Sequence, residues 1–140
     1  MATYKALSQD NDAPFLADSD LTLSQYYFVT VASTAGNVKV ANGASNPAPL
    51  GVLQNAPSAG QEARVRLFGS TKVFAITPAG SGIGYGRYVT VSTSGNAIPQ
   101  ATEAGSPIVG RWIDTGAPVS ASRYGNIILF PTAACAVSAC

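Results

Sequence analysis

Apolar residues in this chain recur in short runs with the two-residue period of strands, and nowhere do they sustain the 3.6-residue period of an amphipathic helix. The plainest case is residues 63–67. There Ala63, Val65 and Leu67 alternate with Arg64 and Arg66, which predicts a half-buried strand with one wet, basic face. Ahead of it, Leu50-Gly51-Val52-Leu53-Gln54 is an apolar run closed by the turn residues Asn55-Ala56-Pro57-Ser58-Ala59-Gly60, so the two runs predict a hairpin. Gly69 interrupts the pattern before β-branched and aromatic residues resume over 71–76, and a bulge or sharp bend within one sheet is expected there.

The rest of the chain reads in the same way. Residues 26–32, rich in aromatic and β-branched side chains, form the strongest strand pattern; Ser33-Thr34-Ala35-Gly36-Asn37 turns the chain into a second run over 38–41, a further hairpin. Residues 42–49 are a loop. Gly80, Gly82, Gly84 and Gly86 match neither spacing of a phosphate-binding loop, and no helical pattern follows them, so residues 77–86 read as a linker or crossover. Residues 1–24 have no sustained period, and Asp10-Asn11-Asp12-Ala13-Pro14 and Asp18-Ser19-Asp20 favour turns. Tyr4, Leu7, Phe15, Leu16, Leu21 and Leu23 make this segment too apolar for a free tail, which predicts an extended arm that docks on something.

The second half echoes the first at a period of about 60 residues. Phe28-Val29-Thr30-Val31 is answered by Tyr88-Val89-Thr90-Val91, and Ala35-Gly36-Asn37 by Ser94-Gly95-Asn96. Leu50-Gly51-Val52-Leu53-Gln54 is answered by Val109-Gly110-Arg111-Trp112-Ile113, and residues 63–67 by residues 126–130. Each half is small for a core of its own, so the two are expected to share one interior. The expected fold is therefore all-β: a single compact barrel- or sandwich-like domain of two related strand-rich halves over residues 25–131, with an arm over 1–24 and a tail over 132–140.

Composition adds a surface argument. Only 11% of the 140 residues are charged while 46% are hydrophobic, which leaves few solubilising groups and predicts that part of the outside is covered by other chains. A net charge of +1 offers no general attraction for nucleic acid or an anionic membrane. The charge is unevenly placed. Lys5 stands against Asp10, Asp12, Asp18 and Asp20 in the arm, whereas the remainder sets its seven lysines and arginines against Glu62, Glu103 and Asp114. No apolar run approaches the roughly 20 residues of a membrane span, and no basic segment with an apolar core opens the chain, so neither a membrane partner nor export is expected. Cys135 and Cys140 lie too close to the end to staple a core, which fits synthesis in a reducing cytoplasm.

Catalytic chemistry is sparse. Histidine is absent, which removes the commonest general base and metal ligand. The three acids outside the arm are far apart in sequence, and two cysteines without a third ligand make a poor zinc site. No enzyme activity, cofactor or metal is expected. Arg64 and Arg66 beside Phe68 resemble a single-strand nucleic-acid binder, but two cations on a strand are better read as its exposed face. Trp112 falls inside a strand pattern, which suits core packing.

Two motif sets carry a family resemblance. Leu50-Gly51-Val52-Leu53-Gln54, then Ala59-Gly60, then Val65-Arg66-Leu67-Phe68-Gly69 resembles the phage capsid decoration (head cement) proteins of the tulip-shaped β-fold. So does Ile83-Gly84-Tyr85-Gly86-Arg87-Tyr88-Val89-Thr90-Val91 with Gly95-Asn96, Pro107-Ile108-Val109-Gly110-Arg111-Trp112 and Ile127-Ile128-Leu129. The resemblance spans residues 25–131 and excludes the arm and the cysteine tail. It implies a non-enzymatic virion protein, made in the host cytoplasm. Such a protein would bind the major capsid protein on the outside of an expanded head as a homotrimer that bridges capsomers. On that reading the arm reaches a neighbouring subunit or the capsid, burying Phe15 and Leu16 while Asp12 and Asp18 meet basic groups such as Arg64 and Arg66. Cys135 and Cys140 then either cross-link neighbours outside the cell or remain free thiols. A β-sandwich adhesion or carbohydrate-binding module, using Trp112 and tyrosines as sugar platforms, stays open as the alternative.

Overall fold

A computed structural model describes residues 11–43, 48–76, 82–99, 107–115 and 122–135. Its elements are all strands: β1 (Asp12–Ala17), β2 (Phe28–Val31), β3 (Asn37–Val40), β4 (Gly51–Leu53), β5 (Glu62–Arg66), β6 (Gly69–Ala75), β7 (Tyr88–Val91), β8 (Ala97–Pro99), β9 (Pro107–Trp112) and β10 (Arg123–Cys135). No helix occurs among the described residues.

The strands close two barrels. Taken from its first strand, one runs β1-β3-β2-β4-β5 and the other β6-β8-β7-β9-β10. Each closes through one parallel pair, β1 with β3 and β6 with β8, and its remaining pairs are antiparallel. The second barrel is thus the first repeated strand for strand, and the register agrees: Phe28 opposes Val52 as Tyr88 opposes Arg111, and Leu16 opposes Glu62 as Phe74 opposes Tyr124. Isolated hydrogen bonds repeat too. Tyr26 N donates to the Leu53 carbonyl as Gly86 N donates to that of Trp112, each at 2.8 Å, and both donors have a positive φ. The sequence echo sits one residue off in the last strand, because pairing aligns Ala63 with Gly125 rather than with Asn126.

Both barrels demand glycine at one place for one reason. A Cβ on Gly51 would collide with the Arg66 carbonyl, and a Cβ on Gly110 would press on the equivalent carbonyl of Ile128. Glycine here lets two backbones approach inside a tightly curved sheet.

Alternation decides what is inside. Ala63 and Val65 of β5 are buried while Arg64 is exposed, as the two-residue period predicts. The first barrel holds a cluster of Ala17, Leu21, Val29, Val38, Leu53, Ala63 and Val65. The second holds a larger cluster around Trp112, and Phe28, Ala41 and Val52 from the first barrel belong to it. The halves therefore share an interior at their junction, while the first keeps an apolar centre of its own.

Three boundaries differ from the sequence expectation. The arm proposed over residues 1–24 is, over Asp12–Ala17, a strand that closes the first barrel between β3 and β5. Its turn-forming aspartates and Pro14 hide a pairing set by distant partners. At Gly69 the chain does not bend within one sheet but leaves the first barrel for the second, since β5 and β6 belong to different sheets. Strand β10 runs to Cys135, past the expected domain end at residue 131, with a register shift between Leu129 and Ala134. The glycine-rich linker lies partly outside the described residues; from Gly82 on it leads through a tight turn into β7.

Candidate interaction surface

The residues expected to make contacts fall into two groups. Asp12, Arg64 and Arg66 meet each other inside one chain, because the β1–β5 register sets Asp12 opposite Arg66 and Pro14 opposite Arg64. Arg66 Nε donates to Asp12 Oδ1 at 2.7 Å and Arg64 Nη2 donates to Oδ2 at 3.1 Å. Asp12 is buried, Arg66 half-buried and Arg64 exposed. The expected pairing of arm aspartates with a neighbour's arginines is, for Asp12, satisfied within the molecule. Arg66 also donates through Nη1 to the Ser70 carbonyl, which ties the first barrel to the start of β6. Asp18 accepts from Asn37 Nδ2 at 3.2 Å.

Phe15 packs half-buried against the first barrel's cluster, whereas Leu16 is 48% exposed. Leu16 is thus the residue of the pair left open to a partner. Cys135 lies opposite Pro107 in the β10–β9 register, and Cys140 lies outside the described residues. Phe68 is exposed, as a strand-end aromatic beside Gly69.

Between the barrels lies an aromatic seam. Tyr27 stacks on Phe74 with ring centroids 5.7 Å apart, and Phe74 meets Tyr124 edge-on at 5.0 Å. Tyr26 meets Tyr124 edge-on, and the Lys72 ammonium lies over the Tyr26 ring. Backbone bonds reinforce the seam: Phe74 N donates to the Tyr26 carbonyl, Phe28 N to that of Gly95, and Gly43 N to that of Ser92. Gln54 Nε2 donates to Thr71 Oγ1 at 2.9 Å.

On the outside of the second barrel Tyr88, Arg111 and Ile128 lie side by side across β7, β9 and β10. Tyr88 and Ile128 are each 44% exposed. The Arg111 guanidinium lies over the Tyr88 ring at 5.2 Å, and its Nε donates to the Gly86 carbonyl at 2.9 Å. Tyr85, in the preceding turn, is exposed. An aromatic ring, a fixed guanidinium and an aliphatic side chain in one row match what protein contacts are enriched in. Sequence reasoning passed over this row; aligning the halves sets Tyr88 and Arg111 against Phe28 and Val52, but which of the two pairs is covered follows only from how the barrels pack.

No group of three or more potential metal-binding side chains comes together among the described residues. Trp112 is 1% exposed, filling the second barrel, so it is core and offers no face to a sugar.

No family model matches the sequence, and no curated protein matches it. Among solved structures, the chain is similar to the N base of the head fiber protein gp8.5 of bacteriophage phi29, with a TM-score of 0.60. The likeness covers 87% of this chain and 95% of that one at 17% sequence identity. At that identity it is a likeness of fold, here of both barrels together.

Proposed function

We propose that the chain is a structural protein of a bacteriophage virion, which binds the outside of an expanded head as a homotrimer and stabilises it by bridging capsomers. The observation that carries this reading is the shared fold over nearly the whole length of the base of a phage head fiber. Its partner is the major capsid protein, and it acts by assembly rather than by catalysis. The row of Tyr88, Arg111 and Ile128, together with the low share of charged residues, supports a molecule whose surface is partly covered by other chains.

The test is binding to heads. Expanded heads lacking the protein should take it up on co-sedimentation and resist heat or chelator better once loaded, while unexpanded heads bind it weakly. Equal recovery in the supernatant with and without expanded heads would remove the capsid reading. Native mass spectrometry at micromolar concentration tests the trimer, since stable interfaces bury about 800 Å² per partner.

A further inference from the structure

Because the second barrel repeats the first in strand order and register, every contact at the junction between barrels has a counterpart position elsewhere in the molecule. In the first barrel the row Phe28, Val52 faces the junction, and both side chains are completely buried. Its counterpart in the second barrel is Tyr88 and Arg111, with Ile128 beside Arg111 in the place of the half-buried Arg66, and this row faces solvent. The complementary side shows the same imbalance in reverse. In the second barrel the junction is received by Phe74, by Val91, which is 5% exposed, and by the turn at Gly95, where a Cβ would collide with Val40. Their counterparts in the first barrel are open: Leu16, Val31 at 51% exposure, and Gly36, where a Cβ would meet nothing within 4 Å. Each molecule thus contains one closed junction and the two unmatched halves of another, one on each barrel.

We propose that these halves meet between copies of the chain, the Tyr88 and Ile128 row of one copy seating on Leu16 and Val31 of the next. Charge complementarity favours a second copy as the occupant. In the internal seam Phe74 is flanked by Tyr27 and Tyr124. At the open halves the register replaces Phe74 by Leu16, Tyr27 by Arg87 and Tyr124 by Glu62. Arg87 and Glu62 are both exposed, and they carry opposite charges on the two faces that would be joined. An aromatic sandwich inside the chain becomes an apolar contact flanked by an ion pair between chains. Such a contact is head to tail, and it closes into a ring when its rotation divides a full turn. Three copies joined in this way place six barrels in one ring, with internal and inter-copy junctions alternating. The inference deepens the trimer in the proposed function and rests on self-association, not on the capsid.

The experiment is light scattering and native mass spectrometry of the full chain beside Arg87→Glu, Glu62→Arg, the Arg87→Glu/Glu62→Arg double variant and Ile128→Asp. Circular dichroism and Trp112 fluorescence verify that each remains folded. The single charge reversals and Ile128→Asp should each weaken self-association about tenfold or more, because like charges and a desolvated carboxylate then face the partner. The double variant should recover most of the loss. A wild-type oligomer unmoved by all three single changes, or a double variant no better than its parents, overturns this contact while leaving another trimer interface standing. A wild-type chain that stays monomeric overturns both the contact and the trimer. Self-association through this row without uptake by heads keeps the contact and removes only the capsid reading.

Discussion

Asp12 illustrates how much one buried carboxylate decides. It accepts from both arginines of β5 and, unlike Arg64, is shielded from water. Replacing it by Ala should cost about 1–3 kcal/mol, because Arg66 loses a charged partner in a half-buried place. Arg64→Ala should cost under about 1 kcal/mol, since an exposed cation gains little from pairing. Urea unfolding at low and high salt checks both, and the Asp12 effect should change little with salt. The glycines at the tight backbone crossings make a second residue-level test. Gly51→Ala and Gly110→Ala should each destabilise by about 1–3 kcal/mol with an unchanged urea slope, as overpacking forces strands apart.

Among the elements, β1 has the largest consequence. It lies between β5 and β3, so the first barrel is closed only with it in place. Removing residues 1–17 should therefore not leave the β-body intact, as a detachable arm would. It should expose the edges of β3 and β5, which invites aggregation. The expected result is loss of soluble protein and of the β circular dichroism signal at 25 °C; a truncated chain with the melting curve of the full chain would mean that β1 contributes no closure. The pattern of residues 12–17 hid this role. Asp12 and Pro14 are poor strand formers by propensity, and the segment becomes a strand because Ala63 and Val65 of β5 pair with it and the Gly36 carbonyl accepts from Leu16 N, partners that lie far along the chain.

For the whole molecule, the shared cluster couples the barrels. Phe28, Ala41 and Val52 lie in the cluster of Trp112 and Val89, so the second barrel's interior is incomplete without the first. One cooperative transition should follow. Trp112 fluorescence, which reports the second barrel, and hydrogen exchange at Val29 and Val65, which report the first, should change together in denaturant. Two separated midpoints would show instead that the first barrel's own cluster suffices to hold it alone. Far-ultraviolet circular dichroism should show β structure and no appreciable helix.

What was legible in the sequence was local or repeated. The two-residue alternation over 63–67 settles which face of β5 is buried, because a strand's side chains must point to opposite sides. The echo of Val-Thr-Val, Gly-Asn and the strand glycine shows two similar halves, because equal curvature and turn geometry demand equal residues at equal places. Tertiary structure alone decided the rest. That residues 12–17 are a strand, that Asp12 meets Arg64 and Arg66 in its own chain, and that Gly69 is a crossing between barrels all depend on pairings between distant segments. The same holds for the open row of Tyr88, Arg111 and Ile128. In sequence Tyr88 and Arg111 match Phe28 and Val52, which the first half buries, and only the placement of two barrels side by side covers that pair and leaves its counterpart in water.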